Sequence, residues 1–83
     1  MKVFILSEEK ANDNGVKFDS VPFKTQDEAQ VEAEKRVKTF TDEIVREYAK
    51  DDFIHEKKPN SYYCVAAWSM FLYDYCTIRE HDI

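Results

Sequence analysis

The chain sorts into five stretches by the spacing of its apolar side chains. From Lys2 to Leu6 they are consecutive, and the β-branched and aromatic residues there predict a strand. A polar segment, SEEKAND, then leads to Asn14-Gly15, a dipeptide that supplies the positive φ angles of a tight turn. Val16 to Lys24 alternates in part, with Val16 and Phe18 on one face and Val21 and Phe23 on the other. Pro22 in that run has no N–H to give a neighbouring strand, which places the run at a sheet edge or puts a bulge near Ser20. These two runs predict a β-hairpin.

The period then changes from two to between three and four. Thr25-Gln26-Asp27-Glu28 forms a capping box, in which the Thr25 hydroxyl accepts from the amide of Glu28 and the Glu28 carboxylate reaches back to the amide of Thr25. Asp27 and Glu28 favour the positive end of the helix dipole. Ala29, Ala33, Val37, Phe40, Ile44 and Tyr48 follow as one apolar stripe. Opposite the stripe, Glu32–Arg36, Glu34–Lys38 and Asp42–Arg46 are spaced i,i+4. Each such pair contributes only about 0.2–0.5 kcal/mol, so burial of the stripe must hold the helix in place. Asp51-Asp52 predicts its end near Lys50. A charged link, HEKKPN, leads to a turn at Pro59-Asn60-Ser61, and Phe53 and Ile54 ahead of it seal one end of the core.

The stretch SYYCVAAWSMFLYDYC, Ser61 to Cys76, carries a single charge, Asp74. As a helix it would be apolar almost all round, and so short a chain has too little protein to enclose it. Its aromatic and β-branched content instead predicts one long, bent strand continuing through Ile78. A hairpin near Tyr73-Asp74 is the second choice, since no Gly or Asn supports a turn there, and a short helix within Ala66–Leu72 is the third. On a strand, Tyr63, Val65, Ala67, Phe71, Tyr73 and Tyr75 share one face, and Cys64, Ala66, Trp68, Met70, Leu72 and Ile78 share the other. The more aliphatic even set suits the helix stripe. The odd set, whose hydroxyls tolerate water, then faces outward.

The expected architecture is one α+β domain over residues 1–83. It is a two-layer sandwich of three or four antiparallel strands, β-β-α-β or β-β-α-β-β, with one long helix on one face. Length and composition agree. With 83 residues, 43% hydrophobic, 35% charged and 14% aromatic, the chain is globular but has only a small core to build.

Net charge alters the functional picture. Seventeen acids against twelve bases give −5, and no Lys or Arg lies between Ser61 and Ile78. Both facts argue against direct binding to nucleic acid, which needs clustered cations. The junction Phe23-Lys24-Thr25-x-x-Glu28-Ala29 resembles the strand-to-helix junction of small DNA-binding domains of the integrase N-terminal kind. The basic sheet face of those domains is missing from this chain.

Candidate chemistry is sparse. Cys64 and Cys76 are two thiols without the close spacing of a zinc site, and His55 and His81 lie in a charged link and near the chain end. The cysteines sit in apolar context, which raises a thiol pKa and makes it inert. The acid pairs Glu8-Glu9, Asp27-Glu28, Asp42-Glu43 and Asp51-Asp52 fall on expected loops and helix surface. One glycine cannot build a phosphate loop. The expectation is therefore no catalytic residue, no metal and no cofactor. The N-terminus lacks the apolar run of a signal sequence, and no run spans a bilayer, so the expectation is an intracellular protein with reduced thiols and no membrane partner.

Interaction is what remains. Tyr, Trp and Phe anchor interfaces, and the outward set names Tyr63, Phe71, Tyr73 and Tyr75, with Asp42, Glu43 and Glu47 on the helix steering toward a basic surface. The reading is a small non-enzymatic module that binds a protein partner or itself as a homodimer. By analogy of size and charge it fits an accessory or inhibitory protein of a phage or mobile element. Two alternatives stand beside it: a ligand-binding domain or enzyme with a pocket between helix and sheet, and an acidic mimic of nucleic acid.

Overall fold

A computed structural model describes residues 1–83. The elements run β1 (Lys2–Asn12), β2 (Gly15–Phe23), α1 (Gln26–Tyr48), β3 (Phe53–Lys58), β4 (Ser61–Ala66) and β5 (Ser69–Asp82). All strand pairs are antiparallel, in the order β2-β1-β5-β4-β3. The class is α+β, as expected, with five strands rather than three or four.

The N-terminal hairpin forms, but Asp13 and Asn14 make its turn, with Asn12 opposite Gly15; of the expected Asn14-Gly15 pair only Gly15 takes a positive φ, 108°. The first strand does not stop at Leu6. SEEKAN extends it, because these polar residues pair along β2 on one side and β5 on the other. Pro22 lies in β2, an edge strand, and the pairing from Phe4 to Asn12 is continuous, without a bulge near Ser20.

The Thr25 hydroxyl accepts from the Glu28 amide at 3.2 Å, one half of the expected capping box, while the Glu28 carboxylate does not return a bond to the Thr25 amide. The helix ends two residues early, because Ala49 turns left-handed (φ 55°) and its amide donates to the Val45 carbonyl. A residue with a Cβ in this conformation costs about 1–2 kcal/mol relative to the right-handed one. Of the surface pairs, Glu32–Arg36 forms, while Glu34 turns to Lys57 of β3 and Asp42 to Lys38. Connecting the β2 edge to the β3 edge carries α1 across one face of the sheet.

The long single strand is the main correction. The chain reverses at Ala67-Trp68 and returns as β5, which takes the central place between β1 and β4. The turn lacks Gly and Asn because packing stabilises it. The Trp68 ring meets Phe53 edge-on at 5.6 Å and Tyr48 at 6.0 Å. Neither the Tyr73-Asp74 turn nor a helix over Ala66–Leu72 forms. The register shifts after Val65, so Ala66 pairs with Ser69 and Met70 and Phe71 bulge into solvent. HEKK is also not a link. It belongs to β3, whose charges suit an edge strand.

Beneath α1 the core divides in two. Leu6, Ala29, Ala33, Tyr62, Cys76 and Ile78 make one cluster, and Phe40, Ile44, Cys64, Ala66 and Leu72 make the other, with Val37 touching both. The small Ala29 and Ala33 let the first turns of the helix approach the sheet closely, and Phe40 and Ile44 fill the other end.

Candidate functional site

The sheet has a face that α1 does not cover. Strand alternation and the register assign to it Val3, Ile5, Ser7, Glu9 and Ala11 of β1, and Val16, Phe18 and Ser20 of β2. From the other half come Tyr73, Tyr75, Thr77 and Arg79 of β5, Tyr63 and Val65 of β4, and Ile54, Glu56 and Lys58 of β3. Three of the four rings named from sequence meet here. Tyr63 lies against Tyr75 edge-on at 5.7 Å and near Tyr73 at 6.4 Å. The Tyr73 hydroxyl donates to the Glu9 carboxylate, which pushes the phenol pKa up. Ala11 and Val65, which flank Tyr73 on either side, are buried, whereas Phe18 and Ile54 are 74% and 59% exposed. The charged side chains of this face balance, with Glu9 and Glu56 against Arg79 and Lys58.

The fourth ring, Phe71, is 82% exposed but belongs to the bulge beyond the regular pairing. Asp42, Glu43 and Glu47 lie on α1, across the sheet from the tyrosines, so the structure does not join the two sets. Two of these acids are matched by cations. Lys38 Nζ lies 2.8 Å from Asp42 and Lys10 Nζ 3.3 Å from Glu43. The helix therefore does not present the single-sign surface that a nucleic-acid mimic needs.

A polar row that sequence reasoning missed lies under the helix. Asp74 of β5 is fully buried, no N–H or O–H donates to its carboxylate oxygens, and its polar neighbour is another carboxyl group, Glu8. It stands between the two apolar clusters, with Leu72 in one and Cys76 in the other. Burial, then the neighbouring Glu8 carboxylate, pushes its carboxyl up to about 8. Glu8 on β1 sits directly opposite Cys76. The Arg36 guanidinium reaches down from α1 and donates to Glu8 at 2.9 Å, Asp19 at 2.7 Å and Glu32 at 2.8 Å. Those hydrogen bonds hold Asp19 below its ordinary range. Both thiols are free and buried, and burial raises both. The signal for this row was a lone acid in an otherwise apolar stretch.

A groove also runs between α1 and β3–β4, lined by Val37, Thr41, His55, Lys57 and Tyr62. Trp68 and the buried acid, the two features that would suit a pocket enzyme, both lie outside it. No helix is long and apolar enough to cross a membrane. Compared with known proteins, the chain matches no family model, no curated protein and no solved structure.

Proposed function

We propose that this protein is a non-enzymatic interaction module whose working surface is the uncovered face of its sheet, and that a second copy of the chain is the partner this face fits best. The observation that carries the reading is the clustering of Tyr63, Tyr73 and Tyr75 among Val16, Phe18, Ile54 and Val65 on a face without a covering layer. Sheets with one apolar face bury it against another layer, and sheet-on-sheet packing supplies one. Charge selects the partner. The whole chain is acidic, so two copies repel, yet this face carries as many cations as anions and lets them approach. An inhibitory or accessory role would follow from masking or releasing that face.

Light scattering across a concentration series tests the reading. A dimer that Tyr63→Ala or Tyr75→Ala converts to a folded monomer supports it. A wild type that stays monomeric at high concentration overturns self-association and leaves a foreign partner as the occupant. Unfolding by both tyrosine variants overturns the interface itself.

A further inference from the structure

We propose that Glu8, Asp74 and Cys76 form a binding site for one thiophilic divalent cation of the Zn²⁺ type, set into the layer between sheet and helix. A donor oxygen from each carboxylate and the Cys76 sulfur all lie within 4.8 Å of one another, a span one ion can bridge. Two carboxylates and a thiolate make a donor set that such an ion accepts.

The second observation is Asp74 itself. A buried carboxylate without a partner is costly, and this one occupies the middle of the central strand, where an apolar side chain would fuse the two core clusters into one. Nearby cations answer it only in part. Arg36 directs Nε to Glu32 and Nη1 to Glu8 and Asp19, with no hydrogen bond to Asp74, and Lys10, opposite Asp74 on β1, places its ammonium on Glu43. Two cations, Arg36 and Lys10, thus face five carboxylates, Glu8, Asp19, Glu32, Glu43 and Asp74, and a divalent ion supplies part of the missing charge. Arg36 then gains a purpose, because its hydrogen bond to Glu8 fixes the orientation of a ligand. One ligand of the three is reachable from solvent. Glu8 lines a polar cleft between the β1–β2 hairpin and α1, together with Lys10, Asp19, Glu32 and Arg36. On binding, the Cys76 thiol proton and the proton held by the Asp74 carboxyl leave to solvent, and the two groups coordinate as thiolate and carboxylate. The site lies on the helix side of the sheet, so it stands or falls independently of the tyrosine face.

The test is titration of the chelator-treated protein with ZnCl2 and CoCl2, by calorimetry and by absorbance. One ion per chain is expected, with a thiolate-to-cobalt charge-transfer band and a rise in Tm. Asp74→Asn, close to isosteric, and Cys76→Ser should each weaken binding at least tenfold, and Cys76→Ser should abolish the charge-transfer band. Cys64→Ala removes the thiol outside the cluster and should keep affinity within about threefold. If Cys76→Ser fails to fold, the cobalt band of the wild type and the Asp74→Asn affinity still decide. Three outcomes overturn the site: no saturable binding at millimolar ion, binding unaffected by Asp74→Asn, or a cobalt complex without a thiolate band. In the first case an Asp74→Asn variant more stable than wild type would show that a proton shared with Glu8, not a metal, occupies the gap.

Discussion

Replacing Arg36 with Met separates charge from packing, since Met keeps an apolar stem of similar length and loses the guanidinium. Three carboxylates would lose a donor. The largest loss is at Glu8, whose side chain is only 12% exposed. A hydrogen bond to a charged group in that setting contributes about 1.5–3 kcal/mol. Glu32, one helical turn away, adds about 0.3–0.5 kcal/mol, and the solvated Asp19 adds little. The expected cost is about 2–3 kcal/mol, against a total of roughly 4–12 kcal/mol for a chain of this size. With an m value of about 1 kcal/mol/M, the urea midpoint of the chelator-treated protein should fall by roughly 2–3 M at pH 7. The pH dependence has a definite sign. Arg36 lowers the folded-state pKa of Asp19, so that contribution is present above the unfolded carboxylate value of about 3.9 and is lost as pH falls through the folded value. From this small contribution the gap between variant and wild type should narrow only slightly below about pH 4. A midpoint change under about 0.5 M at pH 7 would refute the assignment of Arg36 as the hub of this network.

Four further outcomes are expected. Phe40→Ala, at a fully buried position, should cost about 3–5 kcal/mol in urea unfolding, whereas Phe71→Ala, in the exposed bulge, should stay within about 0.5 kcal/mol. Ala49→Gly relieves the left-handed helix cap and should raise Tm by several degrees in a thermal melt, about 4–8 °C for each kcal/mol gained. Thr25→Ala removes the cap acceptor for Glu28 and should cost about 1 kcal/mol by the same measurement. Cys64 and Cys76, buried and with raised thiol pKa values, should resist a thiol-labelling reagent in native protein and react only on unfolding; rapid native labelling would contradict their placement.

Local chemistry was the readable part of this chain. The Thr25 cap, the hairpin turn ahead of Gly15, the apolar stripe from Ala29 to Tyr48 and the edge position of Pro22 each depend on residues close in sequence, and each is present, the turn one residue earlier than Asn14-Gly15. The hairpin at Ala67-Trp68 was not readable, because the contacts that hold it, Trp68 on Phe53 and Tyr48, join residues distant along the chain. The face assignment nevertheless survived that error. In the β4–β5 pairing Tyr62 meets Cys76, Cys64 meets Asp74 and Val65 meets Tyr73, so even positions lie beside even ones, as they would on a single strand. Met70 departs from the even set because it lies in the bulge. Charge misled twice, at SEEKAN and at HEKK, where pairing with β1, β2, β4 or β5 partners overrides low strand propensity. The polar row was hidden for the same reason as the hairpin. On one extended strand the two cysteines lie far apart, and only the folded pairing brings Cys76 to Glu8.

The borders of the sheet limit what it can build. On one side Pro22 withholds a donor, and on the other the solvent-facing run Ile54–Lys58 presents Glu56, Lys57 and Lys58 to any incoming backbone. Lateral extension strand by strand is thereby discouraged, so fibrous polymers are disfavoured. A protein that recruits a mate through a single broad plane uses that plane up in one event, and its assemblies stop at a small, countable stoichiometry.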